Sequence, residues 1–198
     1  MHTKSYHIIG KSVRYRYSIS VEISEKDKIL LGEFCNTLNI DHNKIRKRVR
    51  KKYGKKYPHV YIRFDCKPMA KALEELNFSS SKAARKNLPK FSNVIGGPSS
   101  NQLFLGFLRG YYDGDGWSGR TIIGAANKQF LVQIKHRLKI KFPVRKVKVS
   151  STYLDEKDKL HILKSFYALS LGAKTYDKMT KTLEDKGLFY LKRKTRKR

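Results

Sequence analysis

The sequence is poor in acidic residues, and this deficit limits what the protein can bind. Its 198 residues include 16 Asp and Glu against 45 Lys and Arg, which gives a formal net charge of +29 at pH 7. Such self-repulsion disfavours a compact chain unless a polyanion offsets it, and the basic residues are spread along the whole chain. The composition therefore predicts a broad folded surface for nucleic acid, whose phosphates Lys and Arg neutralise.

Cysteine and long apolar runs are also scarce. Cys35 and Cys66 form no C-x-x-C pair and show no zinc spacing with the six histidines, so we expect reduced core thiols in an intracellular protein. The absence of a long apolar run and of a basic amphipathic helix argues against a membrane partner. The first residues lack the apolar core of a secretory signal, which favours a cytoplasmic or organellar location.

The same succession of elements is predicted twice. Residues Val13 to Ile23 alternate between apolar and polar, as in a half-buried strand with a basic outer face. A helix from Ser24, two strands around a turn near Gly54 and a helix from Lys67 to Leu76 follow. Strand, helix, strand pair and helix return in the segments RTIIGA, ANKQFLVQIKHRLKI, PVRKVKVSSTYLDEKDKLHILKSFYALSLGA and KTYDKMTKTLEDKG. A period of roughly a hundred residues suits a duplicated α+β half-domain rather than a solenoid.

Between the two successions, residues 101–116 (NQLFLGFLRGYYDGDG) predict a helix with a stripe of glycines. Gly106, Gly110 and Gly114 are four residues apart and lie along one side of such a helix. Glycine costs about 1 kcal/mol relative to alanine within a helix, so close packing against another backbone is the expected reason for Gly106 and Gly110.

The same helix ends with two acidic residues, Asp113 and Asp115. Negative charge is unfavourable at a helix C-terminus, and two such helices packed together would gather carboxylates that a divalent cation relieves. Oxygen ligands suit Mg²⁺, which keeps several waters and bridges to substrate phosphate in phosphodiester hydrolysis. The alternative is a tight turn of Asp and Gly, whereas an EF-hand is disfavoured because its closing Glu is missing.

LRGYYDGDG, from Leu108 to Gly116, resembles the LAGLIDADG motif of homing endonucleases. The resemblance implies an α+β, LAGLIDADG homing-endonuclease-like fold of two pseudo-repeated mixed α/β halves with an antiparallel β-saddle. The halves are 1–97, which lacks its motif helix, and 98–198, which contains motif helix 101–116.

The resemblance also implies roles for individual residues. Asp115 would hold Mg²⁺ and position the attacking water, Gly114 would offer its backbone carbonyl to the metal, and Asp113 would hold the helix end. A basic residue after the last helix of each half would support the site. Lys82 and Lys192, which have the same spacing from a Leu-Glu pair, are the candidates, with Lys194 as an alternative to Lys192.

Double-stranded DNA is the expected partner of the strand faces, because a β-ribbon fits the major groove and Arg reads guanine. The candidate contacts are Arg14, Arg16, Lys44, Arg46, Arg48, Arg50 and Arg63 in the first half and Arg145, Lys146, Lys148 and Lys164 in the second. The alternative for these residues is a solvated sheet face that only raises solubility.

The resemblance calls for a first motif, and no D-x-D-G lies upstream of Val13. Either the sequence is a fragment of a longer chain, or a second chain or a second copy would supply the other motif helix, or one catalytic acid has been lost. The expected function is site-specific, Mg²⁺-dependent DNA cleavage of the intron- or intein-associated type. Alternatives on the same fold are a catalytically impaired DNA-binding regulator and an RNA maturase that helps an intron fold. A structural RNA-binding protein such as a ribosomal component would explain the charge but not the glycine stripe.

Overall fold

A computed structural model of the chain describes residues 2–9, 12–52, 55–78, 87–91, 100–148, 152–154, 160–162, 165–185, 187, 190–191 and 194. The chain divides into two compact units. Unit 1 comprises Met1–Ala84 and Thr152–His161, and unit 2 comprises Arg85–Ser151 and Ile162–Arg198. In the described part of the chain, no helix is long and apolar enough to cross a membrane.

Unit 1 is built on an antiparallel four-stranded sheet with the strand order β1-β2-β4-β3. Its elements are β1 (His2–Ile9), β2 (Ser12–Ser24), α1 (Lys28–Thr37), β3 (Arg46–Lys52), β4 (Lys55–Asp65) and α2 (Lys67–Glu75). The sequence predicted β2 to α2 in this order. It did not predict β1, which pairs along its whole length with the first part of β2.

The alternation of β2 decides which face of this sheet is buried. Ile19 is buried, and Val21 and Ile23 pack against a core cluster made by α1 and β4. The buried members of that cluster are Leu31, Cys35, Val60 and Ile62. Both cysteines of the chain are free thiols, of which Cys35 is buried and Cys66 partly exposed.

Unit 2 begins with the predicted motif helix. Its elements are α3 (Ser100–Asp115), β5 (Ile122–Ala125), α4 (Lys128–Arg137), β6 (Arg145–Val147), β9 (Phe166–Ser170) and α5 (Ala173–Glu184). In the sequence between β6 and β9, β7 (Thr152–Leu154) and β8 (Leu160–Ile162) form a separate two-stranded sheet, of which Thr152–His161 belong to unit 1. The sequence predicted two strands in the region that holds β6 to β9. α3 buries Phe104, Leu105, Leu108 and Tyr112 in a core completed by side chains of β5, α4, β9 and α5.

The two units share the order of their strands. In unit 1, β4 lies between β2 and β3, and in unit 2, β9 lies between β5 and β6, with antiparallel pairing in both sheets. In each unit the central strand directly precedes the last helix. The predicted α+β class with antiparallel sheets is confirmed. The division into halves 1–97 and 98–198 stays a prediction.

Candidate functional site

The face of the unit 1 sheet that points away from α1 is rich in arginine. Strand register places Glu22, Tyr61 and Arg46 in one row across the sheet, and Ser24, His59 and Arg48 in the next. Tyr57 lies opposite Arg50, and Ser20 lies opposite Arg63, on the same face. This surface is called the arginine face and consists of Glu22, Arg46, Arg48, Arg50, Tyr57, His59, Tyr61 and Arg63.

Glu22 is the acidic centre of the arginine face. Arg50 donates from Nε to Oε1 and from Nη2 to Oε2, both over 2.5 Å, in a bidentate pair. Nη1 of Arg48 lies 3.6 Å from Oε2 of Glu22, and its guanidinium carbon lies 4.8 Å from the centre of the Tyr61 ring. Nδ1 of His59 lies 3.6 Å from Oε1 of Glu22. One carboxylate therefore gathers two arginines and a histidine from neighbouring strands.

The pKa of Glu22 is lowered, chiefly by the hydrogen bonds from Arg50, so the carboxylate is ionised across the physiological range. Further along the face, Arg63 donates from Nη2 to Oγ of Ser18 over 3.3 Å. Ser18 donates in turn to Oδ1 of Asp65 over 2.6 Å. Arg48, Arg50 and Arg63 are thus exposed and positioned by neighbouring polar side chains.

The structure places the other predicted nucleic-acid contacts in different ways. Lys44 was expected to lie in the first strand of the pair. It lies instead in a 3₁₀ turn, His42–Lys44, that precedes β3. Arg145 and Lys146 are consecutive in β6, so they lie on opposite faces of the unit 2 sheet. Lys148 follows β6 and is exposed. Arg14 and Arg16 belong to β2, but their side chains are outside the described part, as is Lys164 as a whole.

Register decides which of the two β6 residues shares the core side of its sheet. Lys146 pairs with Tyr167, which in turn pairs with Ala125, and both of these pack against the unit 2 core. Arg145 pairs with Ala168 on the opposite face. Among the predicted second-half contacts that the structure describes, Arg145 and Lys146 therefore do not share one face of the unit 2 sheet.

The helix α3 ends with two aspartates, Asp113 and Asp115. Asp113 accepts a hydrogen bond from Nε of Arg109 over 3.0 Å at Oδ1 and one from the backbone N–H of Leu191 over 3.0 Å at Oδ2. Burial raises the pKa of Asp113, against the opposing effects of the Leu191 N–H and Arg109. Asp115 is partly exposed in the last turn, after the exposed Gly114. Asp113 is therefore held within unit 2 by Arg109 and Leu191, and Asp115 ends the helix as a partly exposed acid.

Arg109 is the buried cation that organises this end of the helix. Its side chain has no exposed surface, although it is charged. It donates from Nη1 to Oγ1 of Thr180 over 2.8 Å and to Oη of Tyr176 over 3.3 Å. It also donates from Nη2 to the carbonyl of Leu191 over 3.2 Å. Arg109 thereby joins α3, α5 and the segment that follows α5.

Lys194 lies against the C-terminus of α3. Its Nζ donates to the carbonyl of Gly116 over 3.0 Å, with the carbonyl of Tyr112 at 3.5 Å. A cation here offsets the negative end of the helix dipole, and it approaches the Tyr112 carbonyl, which also accepts from the N–H of Gly116 over 2.7 Å. Oη of Tyr112 contacts the carbonyls of Trp117, Arg120 and Lys194 over 3.0, 2.6 and 3.0 Å. Burial raises the pKa of Tyr112 to about 12, so the phenol stays protonated and can donate.

The glycine that this packing requires is Gly116. A Cβ at Gly116 would lie 2.4 Å from Cδ2 and 2.5 Å from the carbonyl oxygen of Tyr112. A Cβ at Gly106, Gly110 or Gly114 would meet no described atom within 4 Å. Within the described residues the glycine stripe is therefore uncovered, and its close packing against a second motif helix stays a prediction.

Sequence reasoning did not single out Arg109, Glu22 or Gly116. Arg109 and Asp113 have the i, i+4 spacing of a helical ion pair, which was the available signal. Glu22 is the acid among the polar positions of β2. Lys82 and Lys192, the predicted supporting lysines, lie outside the described residues.

Metal ligands are sparse in what is described. No group of three or more His, Cys, Asp or Glu side chains that could hold a metal ion occurs among the described residues. Mg²⁺ needs no such cage, because it binds through one or two carboxylates and takes its other oxygens from water and phosphate. The partly exposed carboxylate of Asp115 fits that manner of binding.

Comparison with known proteins adds a resemblance in fold. No family model and no curated protein matches the chain. Structures of mesophilic variants of the homing endonuclease I-DmoI are similar to it, with 16% identity and a TM-score of 0.43 over 93% of this chain and 87% of that chain. The structure of I-DmoI in complex with DNA and Ca matches with 16% identity and a TM-score of 0.43 over 93% and 80% of the two chains. Similarity of this degree assigns neither a family nor a function, which must be inferred from the chain's own residues.

Proposed function

We propose that the chain is a site-specific DNA endonuclease of the homing type, associated with an intron or intein as a mobile element, that hydrolyses phosphodiester bonds with Mg²⁺. The arginine face supports double-stranded DNA as its substrate. A sheet face carries sequence information when its side chains reach base edges in the major groove, and Arg is the residue that reads guanine by two hydrogen bonds.

Cleavage, beyond binding, is supported by the unequal roles of the aspartates in α3. Asp113 is held by Arg109 and Leu191, and we propose that the other acid of this helix end, the partly exposed Asp115, serves the chemistry. Asp115 would hold Mg²⁺, together with the backbone carbonyl of Gly114. The bound metal would lower the pKa of a water molecule and neutralise charge on the phosphate.

The lysines near this helix end would assist the same reaction. Lys194 contacts the carbonyl of Gly116, directly after Asp115, and keeps positive charge beside the acid. It is the lysine of the C-terminal segment that the structure describes at this place, and we propose it for the supporting role in the second half, for which Lys192 was the first candidate. Lys82 remains the candidate for the first half.

Cutting both strands requires a second acid of the same kind. The sequence contains one D-x-D-G, at Asp113 to Gly116. We propose that a second chain or a second copy supplies the other motif helix against Gly106 and Gly110. A chain acting alone would nick one strand.

A second candidate function is binding without cleavage, by a DNA-binding regulator or an intron RNA maturase. It is favoured by the single acid, because the arginine face is complete in unit 1 whether or not Asp115 is catalytic. The same face would then recognise its nucleic acid in the absence of a divalent metal.

The test combines selection and cleavage. Duplexes bound by the purified chain are selected from a randomised pool in EDTA, and the enriched duplexes are incubated with Mg²⁺ or with EDTA. Asp115→Asn should abolish cleavage and leave binding largely intact. Asp185→Asn, which removes one exposed carboxylate after α5, is the matched control and should cleave normally.

Each outcome separates the candidates. Mg²⁺-dependent cuts at a preferred site that disappear only in Asp115→Asn support the endonuclease, and cuts confined to one strand support the need for a partner. Selective binding with no cut under any condition supports the regulator or maturase. Salt-sensitive binding without any preferred sequence contradicts both functions.

A further inference from the structure

We infer that Glu22 determines the base preference of the arginine face by holding Arg48 and Arg50 in fixed positions from which they read base edges. The inference rests on the proposed binding of duplex DNA. It adds a specificity-determining residue that is itself acidic and that was not among the predicted DNA contacts.

Glu22 has a defined geometry that is set by the arginines around it. Both carboxylate oxygens are engaged by Arg50, and Arg48 approaches one of them while stacking on the ring of Tyr61. The side chain of Glu22 is 18% exposed, whereas those of Arg48 and Arg50 are 49% and 55% exposed. The carboxylate thus lies beneath two guanidinium groups that face the solvent.

A carboxylate among these arginines lowers the affinity of the face for phosphate. Each neutralised phosphate adds to affinity, and a carboxylate amid arginines cancels part of that gain. Glu22 fixes in advance the rotamers of flexible arginine side chains, whose entropy binding would otherwise have to overcome. Preorganised groups lose less on association. A guanidinium held in one plane suits bidentate contact with a guanine, which discriminates against the wrong base by about 1–3 kcal/mol.

The chain offers an internal control in Glu25. Its Oε1 pairs with Nζ of Lys47 over 2.8 Å, and this pair belongs to the same unit. Lys47 alternates with Arg46 and Arg48 along β3, so it points away from the arginine face. Glu25→Gln and Glu22→Gln remove the same charge from the same unit, but only the second touches the arginines of the face.

The experiment compares the sequences that each protein selects from a randomised duplex pool in EDTA. Glu22→Gln should lose about 5- to 150-fold of discrimination at one or two base-pair positions, the range that corresponds to one bidentate contact, and retain the remaining positions. Its affinity for unrelated duplex should rise, and the slope of log affinity against log salt should steepen by about one, since one more phosphate is neutralised. Glu25→Gln should select the same sequences as the wild type.

Arg50→Lys provides a second test from the other side of the pair. Lysine keeps the charge but lacks the planar fork, so the same base-pair positions should lose discrimination with an unchanged salt slope. The double variant Glu22→Gln/Arg50→Lys should lose no more than the larger single loss, because the residues act as one unit. General unfolding would weaken all sequences equally and would not relax particular positions.

The experiment distinguishes a wrong role for Glu22 from a wrong assignment of DNA binding. If the wild type selects a sequence and Glu22→Gln selects it equally well, the inference about Glu22 is overturned while DNA binding stands. A wild type that enriches no sequence overturns both. Relaxed positions that coincide in Glu22→Gln and Arg50→Lys, but not in Glu25→Gln, would establish the role of the carboxylate.

Discussion

Glu22 and Asp113 both pair with arginine, and they do so in opposite surroundings. In unit 1, Glu22 supports Arg50 on a surface where the arginine side chain is 55% exposed. In unit 2, Asp113 pairs with Arg109, whose side chain is 0% exposed, in a network that also includes α5 and the segment after it. The chemistry of the two pairs is the same, and the burial of the arginine differs.

This difference separates a functional pair from a structural one. An exposed ion pair adds about 0–1 kcal/mol to stability, because water screens it, so its value lies in where it holds the guanidinium. A buried charge that loses its partner destabilises a protein by about 3–5 kcal/mol. We therefore expect substitutions of the Arg109–Asp113 pair to act through folding and those on the arginine face to act through binding.

The largest expected effect comes from removing the buried arginine. Arg109→Met should destabilise unit 2 by about 3–5 kcal/mol, because the partly buried Asp113 loses its counter-charge and Thr180 loses its hydrogen bond. Urea unfolding followed by tryptophan fluorescence measures this directly, since Trp117, the single tryptophan of the chain, directly follows the α3 turn in unit 2.

The matched control is Arg50→Met, which removes an arginine from the exposed pair. It should change the free energy of unfolding by about 1 kcal/mol or less and leave the Trp117 transition in place. Equal losses in the two variants would show that burial does not separate the pairs.

A smaller effect is expected at the turn after α3. Gly116→Ala should cost about 1–3 kcal/mol, because its Cβ would overlap the ring and the carbonyl of Tyr112 at 2.4–2.5 Å. Gly114→Ala, two residues earlier, should be neutral or slightly stabilising, since no described atom lies within 4 Å of its Cβ. The Trp117 unfolding transition reports both variants, and a destabilised Gly114→Ala would contradict the assigned packing.

The order of elements and their buried faces were accessible from the sequence. Alternation in β2 and helical spacing in α3 are local patterns, and a local pattern survives in the fold when its apolar side is buried. The sequence predicted residues 101–116 as a helix, and the structure has Ser100–Asp115. The strand β1 was missed because its residues carry little alternation and become a strand by pairing with β2.

The site was less accessible, because its contacts join residues far apart in sequence. The pairing of Glu22 with Arg50 spans 28 positions, and that of Asp113 with the N–H of Leu191 spans 78. No local spacing encodes these distances. The glycine stripe shows the same limit: the pattern identified Gly106 and Gly110, whereas at this end of α3 the glycine with a steric requirement is Gly116.

A still smaller effect is expected at Gly110, in the uncovered glycine stripe of α3. Gly110→Ala should stabilise the isolated chain by up to about 1 kcal/mol, because alanine is the better helix former and Cβ meets no described atom within 4 Å. Urea unfolding at low protein concentration measures the gain. Destabilisation would mean that the stripe is covered in solution, as the proposed second motif helix requires of an assembled enzyme.

The smallest expected effect is a difference in sign. The stability that each ion pair contributes changes with pH in the opposite direction. The pKa of Glu22 is lowered by Arg50, so its contribution to stability is present above the pKa it has in the unfolded chain and is lost as pH falls through the folded value. The pKa of Asp113 is raised by burial, so its contribution is present below its unfolded pKa and is lost as pH rises through the folded value.

The difference in the free energy of unfolding between wild type and variant is measured between about pH 3 and pH 6, the range around the unfolded carboxyl pKa values. Taking this difference removes the contribution of the other charges, which both proteins share. The difference between wild type and Glu22→Gln, followed by circular dichroism, should rise with pH. The difference between wild type and Asp113→Asn, followed by Trp117 fluorescence, should fall with pH. Two slopes of the same sign would show that the carboxylates of the buried and the exposed arginine pair share one electrostatic environment, and the contrast between the two units would then be lost.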